Sequence, residues 1–553
     1  MFEEEIVLNT FVNDLKREFK GYNTQRFLKD LLAGFTVAAV ALPLALAFGV
    51  SSGADAAAGM ITAIIAGIVI GGLSGASYQI SGPTGAMSAI LIGLSATYGL
   101  QGVFVASLMS GIILMLASVF KVGRIVSFIP SSVVTGFTSG IAIIIAAGQI
   151  DNFFGTTSSG TNLIEKLASY GQLGFSIDGM TLLFGAMVVG IMIIWPKKWQ
   201  SVFPSSLAAI LIALTFHMLL PYEVKEVGAI PSTLLPDVRL FMDQIPWSNM
   251  QNLIMPAISI AALGMIESLL CGASASKMKN EPLHADRELL AQGIGNTILP
   301  FFGGVPATAA IARTSVAIKA GGQTRLVSMI HSLVLLASMF LLGPYMSKIP
   351  MAALAGVLMM TAWRMNEWKE IHHMFDKKLK TNLAQFFTTM IATIVFDLTI
   401  AIFIGILVSC ILFIVNNSDL SISVEDVDFK RLDKDLKYSH EQTKLIYLSG
   451  PMFFATQGKI KQVLKASITE AEALIFSMRG VPSIDQNGVQ ELNDIATGCK
   501  KQHIRVILCG VSASVMNQLE RYEILESFDN IVWDAIEAIT YLDGIYHEEE
   551  RSI

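Results

Sequence analysis

Charge is what this 553-residue chain has least of: Asp, Glu, Lys and Arg make up 15% of it. Soluble domains carry about 25%, so a wholly soluble globular protein is excluded. Cysteine is scarce too. Cys271, Cys410, Cys499 and Cys509 show no CxxC and no metal-ligand spacing, which leaves neither a disulfide framework nor a metal site. Residues 1–29 are too polar to read as a signal peptide. No nucleotide-binding glycine loop occurs, since "GGQT" at 321–324 has neither the lysine nor a strand before it. The chain therefore reads as a non-enzyme, with no cofactor and no nucleic-acid partner.

Apolar residues are what it has in excess, at 53%, together with 45 Gly and 26 Met. A membrane-crossing helix takes about 20 apolar residues. The sequence predicts fourteen such segments, near 31–50, 58–74, 84–98, 101–120, 130–150, 180–195, 204–220, 252–273, 288–303, 307–319, 326–343, 350–363, 381–396 and 399–416. The third and tenth are short. Past residue 416 the composition turns polar, as in "VEDVDFKRLDKDLK". The expected division is an N-terminal segment 1–30, an all-α transmembrane domain 31–416, a linker 417–435, a small α/β domain 436–546 and a tail 547–553.

Loop charges orient the segments. With the N-terminus in the cytoplasm, the inside loops hold fourteen Lys and Arg, from Lys121 to Lys380, and the N-terminal tail adds five. The outside loops hold four: Lys166, Lys225, Arg239 and Lys348. This is the positive-inside pattern, and an even number of crossings puts the C-terminal domain in the cytoplasm as well.

The chain also repeats itself. "GRIVSFIPSSVVTGF" from Gly123 and "GPYMSKIPMAALAGV" from Gly343 share Gly, Ser, Ile, Pro and Gly at an offset of 220. "GPTGA" at 82–86 matches "VPATA" at 305–309, Pro83 against Pro306. Two copies of seven crossings must be mutually inverted, because seven is odd. An inverted repeat with matching interrupted helices marks a secondary transporter and its binding site.

Segments three and ten are accordingly expected to start inside the membrane, their N-termini facing each other near the midplane. Unpaired amides and helix dipoles there attract anions without a fixed charge. Gly82, Gly85, Ala86, Thr308, Ala309 and Ala310 are small enough for close backbone approach, and the Thr84 hydroxyl can donate to a substrate oxygen. Close packing of helices on small residues is the competing explanation. Ionisable residues inside the membrane are functional candidates by default. Glu267, in "LGMIESLLCG" at the centre of segment eight, is the candidate proton carrier. Arg313, in "AIARTSVA", can give the anion electrostatic support or pair with Glu267. Asp397 reads as interfacial, and His217 and His331 as structural.

These stretches carry a likeness. "ALPLALAFGV" (41–50), "SGPTGAMSA" (81–89), "GFTSGI" (136–141), "GMIESLLCG" (264–272), "AQGIGN" (291–296) and "FFGGVPATAAIARTSV" (301–316) resemble the SulP anion transporters, relatives of the animal sulfate and bicarbonate carriers and of prestin. The run "IESLLC…FFGG…ATAAIAR…IHS" is most similar to the bacterial branch for four-carbon dicarboxylates such as succinate, fumarate and aspartate. The resemblance implies a fourteen-segment, 7+7 inverted-repeat core/gate fold, with segments 1–4 and 8–11 moving as an elevator against 5–7 and 12–14. It implies a homodimer in the bacterial inner membrane, in contact with lipid. Carried over, the cradle is Thr84 with Ala309 to Ile311 at the start of segment ten, and Glu267 is the coupling position; Pro43, Ala45, Gly85, Ala86 and Thr308 are further candidates for substrate binding. Sodium-coupled bicarbonate relatives have Asp where this chain has Glu267 and Thr where it has Cys271, so a proton is the expected coupling ion. Eukaryotic sulfate carriers follow the first-helix proline with Gln, whereas Leu44 follows Pro43 here; sulfate or bicarbonate is the alternative substrate, and an anion channel or motor the alternative class.

In the C-terminal domain "KLIYLSG", "ALIFSM" and "RVILCG" read as strands, and "GVQELNDIATGCKKQ" and "SASVMNQLERY" as helices. This resembles a STAS domain. Its soluble relatives carry a phosphorylatable serine after an Asp; here Gln486 and Asn487 follow Asp485, so the resemblance implies dimerisation or a cytosolic protein partner rather than a kinase switch.

Overall fold

Each apolar segment forms a helix, and the caps, prolines and glycines of the sequence decide where it starts and stops. The computed structural model describes residues 11–551 apart from 125–128, 161–162, 197, 200–202, 220–221, 231–232, 242, 244–249, 397, 419, 428–441 and 468–470. It divides into two units, Met1–Val408 and Ser409–Ile553.

In the first unit α1 (Thr24–Ser51) is capped by Asn23, and α2 (Ala56–Leu73) by Asp55, whose carboxylate accepts from the Ala58 amide at 2.7 Å. The helix Gly85–Val119 is broken at Gly99, whose φ of 68° suits glycine, into α3 (85–98) and α4 (100–119). The remaining segments are α5 (Ser131–Gly148), α6 (Gly179–Ile194), α7 (Ser205–Leu219), α8 (Met250–Lys279), α9 (Ala285–Ile298), α10 (Ile311–Lys319), α11 (Leu326–Met346), α12 (Met351–Met365), α13 (Lys380–Val395) and α14 (Leu398–Asn417). Among the described residues seven helical stretches are each long and apolar enough to cross a membrane, with Gly85–Val119 and Ser131–Phe154 each counted as one. Pro130 and Pro350 are the extended N-cap residues of α5 and α12, so the 220-residue repeat of the sequence is a repeat of structure. Ile150–Phe154, Leu163–Leu173 and Trp368–Asp376 are further, shorter helices.

Packing sorts the segments into two groups. α1 to α4 and α8 to α11 pack mainly on one another, most closely α9 on α4, α8 on α4 and α11 on α1 and α2. In the other group α13 lies on α5 and α12 on α6, and Gly405 of α14 meets Thr389 of α13 and Val133 of α5. In lipid, helices associate through small residues and close contact. Gly49 and Gly59 show this at the α1–α2 crossing: a Cβ on Gly59 would overlap the Ala45 carbonyl and stand 2.8 Å from Gly49 Cα. Backbone cannot yield as a side-chain tip can. Gly59→Val should therefore lower stability by about 3 kcal/mol, the upper end of the usual cost of overpacking, measured as a fall in the melting temperature of detergent-solubilised protein; an unchanged value would mean that the crossing is looser than described.

A helix at 11–18 is fastened to the loops of the first group. Asp14 accepts from Arg287 at 2.7 Å, and Glu18 binds the Arg325 side chain at 3.0 Å. The Phe11 ring lies 5.3 Å from the Arg287 guanidinium and 5.2 Å from that of Arg325, within cation–π range.

The second unit holds a five-stranded sheet: β3 (Ser421–Asp426), β4 (Thr443–Ser449), β5 (Ala473–Gly480), β6 (Arg505–Cys509) and β7 (Asn530–Val532), in that spatial order. β3 runs antiparallel to β4 and the others are parallel. The expected strands and helices are present, the helices as Gln486–Lys501 and Ala513–Arg521. β3 lies in what the sequence presents as a linker. Only Ile422 and Val424 of its alternating residues pack on the core, so its apolar signal is weak, as befits an edge strand. Asp485 caps Gln486–Lys501, accepting from Gly488 N at 2.9 Å and from Phe454 N at 3.1 Å. That loop is a structural cap.

Candidate functional site

Two interrupted stretches, one from each repeat, meet as a minimal sheet. β1 (Ser81–Gly82) pairs antiparallel with β2 (Thr308–Ala309), Ser81 opposite Ala309 and Gly82 opposite Thr308. Antiparallel pairing of equivalent stretches is what an inverted repeat requires. α3 leaves β1 after the N-cap Thr84, and α10 leaves β2 after the N-cap Ala310. The two helix starts, Gly85 and Ile311, lie 226 residues apart. This corrects the sequence alignment of Pro83 with Pro306, which used 223. The prolines are not equivalent: Pro83 stands two residues before its helix and Pro306 five. Proline permits an interruption but does not fix where the helix resumes.

Glu267 reaches this crossing from α8. Its Oε2 is 2.9 Å from Thr84 Oγ1 and 2.7 Å from Thr308 Oγ1, and the two hydroxyls are 3.0 Å apart. Two threonines from opposite repeats thus hold the carboxyl group of one half-buried residue. Thr84 and Thr308 are themselves buried. Three of the expected site residues, Glu267, Thr84 and Thr308, thus meet in one cluster, in which the Thr84 hydroxyl is engaged by Glu267. Ala310 supplies no side-chain cap to α10, so the first-turn amides of that helix are left to other partners.

Arg313 is 1% exposed and lies behind the cluster. Its Nη2 donates to the Pro83 carbonyl, while Nη1 has no hydrogen-bond partner. No ion pair joins it to Glu267 among the described residues, so of the two roles read from the sequence, pairing is not seen. Gly82 is what admits it, since a Cβ there would collide with Nη1 and stand 3.2 Å from Cζ. Gly85 serves packing rather than an open cradle: a Cβ would meet Ile145 Cδ1, and Phe48 Cε1 at 3.1 Å. Ala86, Ala309 and Ala310 are buried, whereas Ile311 is 47% exposed. Pro43 and Ala45 are buried inside α1. No described hydrogen bond links either to the Glu267 cluster. His331 is fully buried, and His217 bonds Glu226 at 2.9 Å, both apart from the cluster. Asp397 lies outside the described residues.

The sequence reading missed a polar ladder on α9. Glu288, Gln292 and Asn296 recur at four-residue spacing on one buried face. Glu288 Oε2 accepts from Ser74 Oγ and from the Gly75 amide. Gln292 Nε2 donates to Ser81 Oγ and to Glu288 Oε1, 2.9 Å each. Asn296 holds Ala307 at both ends, donating to its carbonyl at 3.0 Å and accepting from its amide at 2.7 Å. On the other side Ser268 Oγ of α8 accepts from Ala309 N at 3.2 Å. The interrupted stretches are thus fixed by buried side chains from two neighbouring helices. Polar residues spaced by four in a membrane helix were the available signal.

A fourteen-helix inverted repeat whose two broken helices meet at a carboxyl group defines a carrier of small solutes. The chain belongs to the sulfate permease family, whose model matches residues 27–392, and a STAS domain model matches 436–538. It is an integral membrane anion transporter. It is 33% identical over 520 residues to the putative sulfate transporter YvdB of Bacillus subtilis, covering 91% of this chain and 95% of that one. The bicarbonate transporter BicA of Picosynechococcus sp. is 27% identical over 516 residues, 90% of this chain and 91% of its own. The solved transmembrane domain of a cyanobacterial BicA matches at 30% identity with a TM-score of 0.63, covering 69% of this chain and 98% of that chain. Murine Slc26a9, solved in the inward-facing state, matches at 17% identity with a TM-score of 0.82 over 97% of this chain and 95% of its own, a likeness of fold.

Proposed function

We propose that this protein is a proton-coupled symporter of a small anion, with Glu267 as the proton carrier and Thr84, Thr308 and the start of α10 as the anion cradle. The observation that carries this is the three-cornered contact of Glu267 Oε2 with the Thr84 and Thr308 hydroxyls. Three oxygen–oxygen contacts need three hydrogens, and two hydroxyls bring two. A proton on Oε2 supplies the third and closes the ring. With that proton the corner carries no charge, and one of its hydrogens can turn to an arriving anion. Without it, a bare carboxylate occupies the hydroxyls and repels the anion at close range. Anion and proton therefore load together.

The substrate reading that follows the family resemblance is a four-carbon dicarboxylate such as succinate, fumarate or aspartate. Sulfate and bicarbonate form the second reading, supported by the relatives' names. The grouping of α1–α4 with α8–α11 against α5–α7 with α12–α14 supports elevator motion. Loop charges support cytoplasmic termini in a bacterial inner membrane, and the attached STAS domain supports a homodimer or a cytosolic protein partner. The test is uptake into proteoliposomes driven by an inward proton gradient, with dicarboxylates, sulfate and bicarbonate as competitors. Competition by a dicarboxylate but by neither inorganic anion is the expected result. Inhibition by sulfate or bicarbonate alone would move the substrate to that anion, and dissipation of the gradient without accumulation would indicate a channel. Thr84→Val should raise KM about tenfold, the loss of one hydrogen bond to a charged ligand; an unchanged KM would place the anion elsewhere.

A further inference from the structure

Between the two helix groups lies a cavity of about 620 Å³ that the mechanism above does not use. One wall is α3 and the start of α8, with Ser88, Tyr98 and Asn252; the other is the ends of α5 and α13, with Gln149 and Thr393. Its floor at Ser88 lies one helical turn from Thr84, about 6 Å along α3, and the Ser88 hydroxyl donates to the Thr84 carbonyl at 3.0 Å. The cavity stops short of the anion cradle. Phe48 of α1 and Ile145 of α5 close over Gly85 there, near enough that a Cβ on that glycine would strike both. An apolar plug contributed by both groups thus separates this chamber, whose lining mixes apolar and polar side chains, from the Thr84–Glu267–Thr308 corner.

One cation lines this chamber: Lys166, on the helix Leu163–Leu173. Among the described residues no carboxylate forms an ion pair with it. The other polar lining groups are uncharged hydroxyls and amides, so among the described residues Lys166 is the one charge that lines the chamber. A low-dielectric cleft lined by one sign of charge concentrates ions of the other sign.

We propose that this chamber is a staging site for the transported anion on the outer face, with Lys166 as its collecting charge and the Phe48–Ile145 plug as the barrier between staging site and cradle. The proposal rests on the transport reading above and on its placement of the loop carrying Lys166 outside. The ligand class is a small carboxylate or inorganic oxyanion, held weakly and still hydrated.

The test exchanges the charge at one point in the full-length protein. Cys410 is exposed and the other three cysteines are buried, so Lys166→Cys is made on a Cys410→Ser background and treated with membrane-impermeant thiosulfonates. At low ionic strength Lys166→Cys should raise KM for uptake about three- to tenfold with kcat unchanged. A cationic ethylammonium reagent should restore KM, and an anionic ethylsulfonate reagent should raise it further. The differences should shrink in high salt, as expected of screened attraction. Equal KM for the untreated variant and after each reagent would overturn the proposal, as would labelling of the Lys166→Cys variant only in inverted vesicles. Absence of saturable anion uptake by the Cys410→Ser parent itself would overturn the transport reading and the staging site with it. The three failures are thus distinct.

Discussion

Glu267→Gln is expected to abolish uphill anion accumulation while leaving anion exchange in place. A gradient of two pH units supplies about 2.7 kcal/mol per proton, enough for about hundredfold accumulation by one-to-one symport. The variant should fall to the passive ratio. Gln keeps the length and hydrogen-bonding capacity of the side chain, so Thr84 and Thr308 retain a partner and the crossing keeps its shape. What it lacks is a titrating group. Counterflow of labelled against unlabelled anion needs no net proton movement and should persist within a few-fold of the parent. Accumulation to the parental ratio by Glu267→Gln would remove this residue from the coupling mechanism. Loss of exchange as well would show that the carboxyl group is needed for the anion cradle itself.

The second large effect is expected at Asn296, which touches no substrate. Asn296→Leu removes both hydrogen bonds to Ala307, one residue before Thr308. Each buried backbone group left without a partner costs about 1–3 kcal/mol. The variant should melt several degrees lower and lose more than tenfold in transport, because β2 and the Thr308 hydroxyl are no longer held against Glu267. Asn296→Asp keeps the acceptor for the Ala307 amide and should fall between the two. Parental transport with a lowered melting temperature would make Asn296 a stability residue without a part in positioning the site.

How much of this was legible beforehand differs by element. The fourteen crossings were readable because lipid demands about 20 apolar residues per helix and leaves no room for other patterns. The prolines at 130 and 350 announced both the repeat and two helix starts, since a proline favours the first turn of a helix and not its interior. The alternating apolar stretch at 421–426 was too faint to separate from a linker, because an edge strand buries only one face. The register at the crossing was misplaced by three residues for a comparable reason. Small residues around 83 and 306 allow several alignments, and only the pairing of Gly82 with Thr308 selects one.

By itself the sequence determined the membrane architecture and the inverted repeat, and it singled out the carboxyl group and the threonine on which the proposed mechanism rests. These follow from local physics: hydrophobic length, helix breaking, and the high cost of a charge in lipid. The tertiary structure alone decided what each group touches. It showed that Thr84 and Thr308 converge on Glu267, that Arg313 turns back to the Pro83 carbonyl, and that Gly85 fits under Phe48 and Ile145. It also showed that the α9 ladder holds β1 and β2 in place. Most of these contacts join residues 41 to 230 positions apart and have no local signature, and hydrogen bonds and packing select among them only once the helices have met.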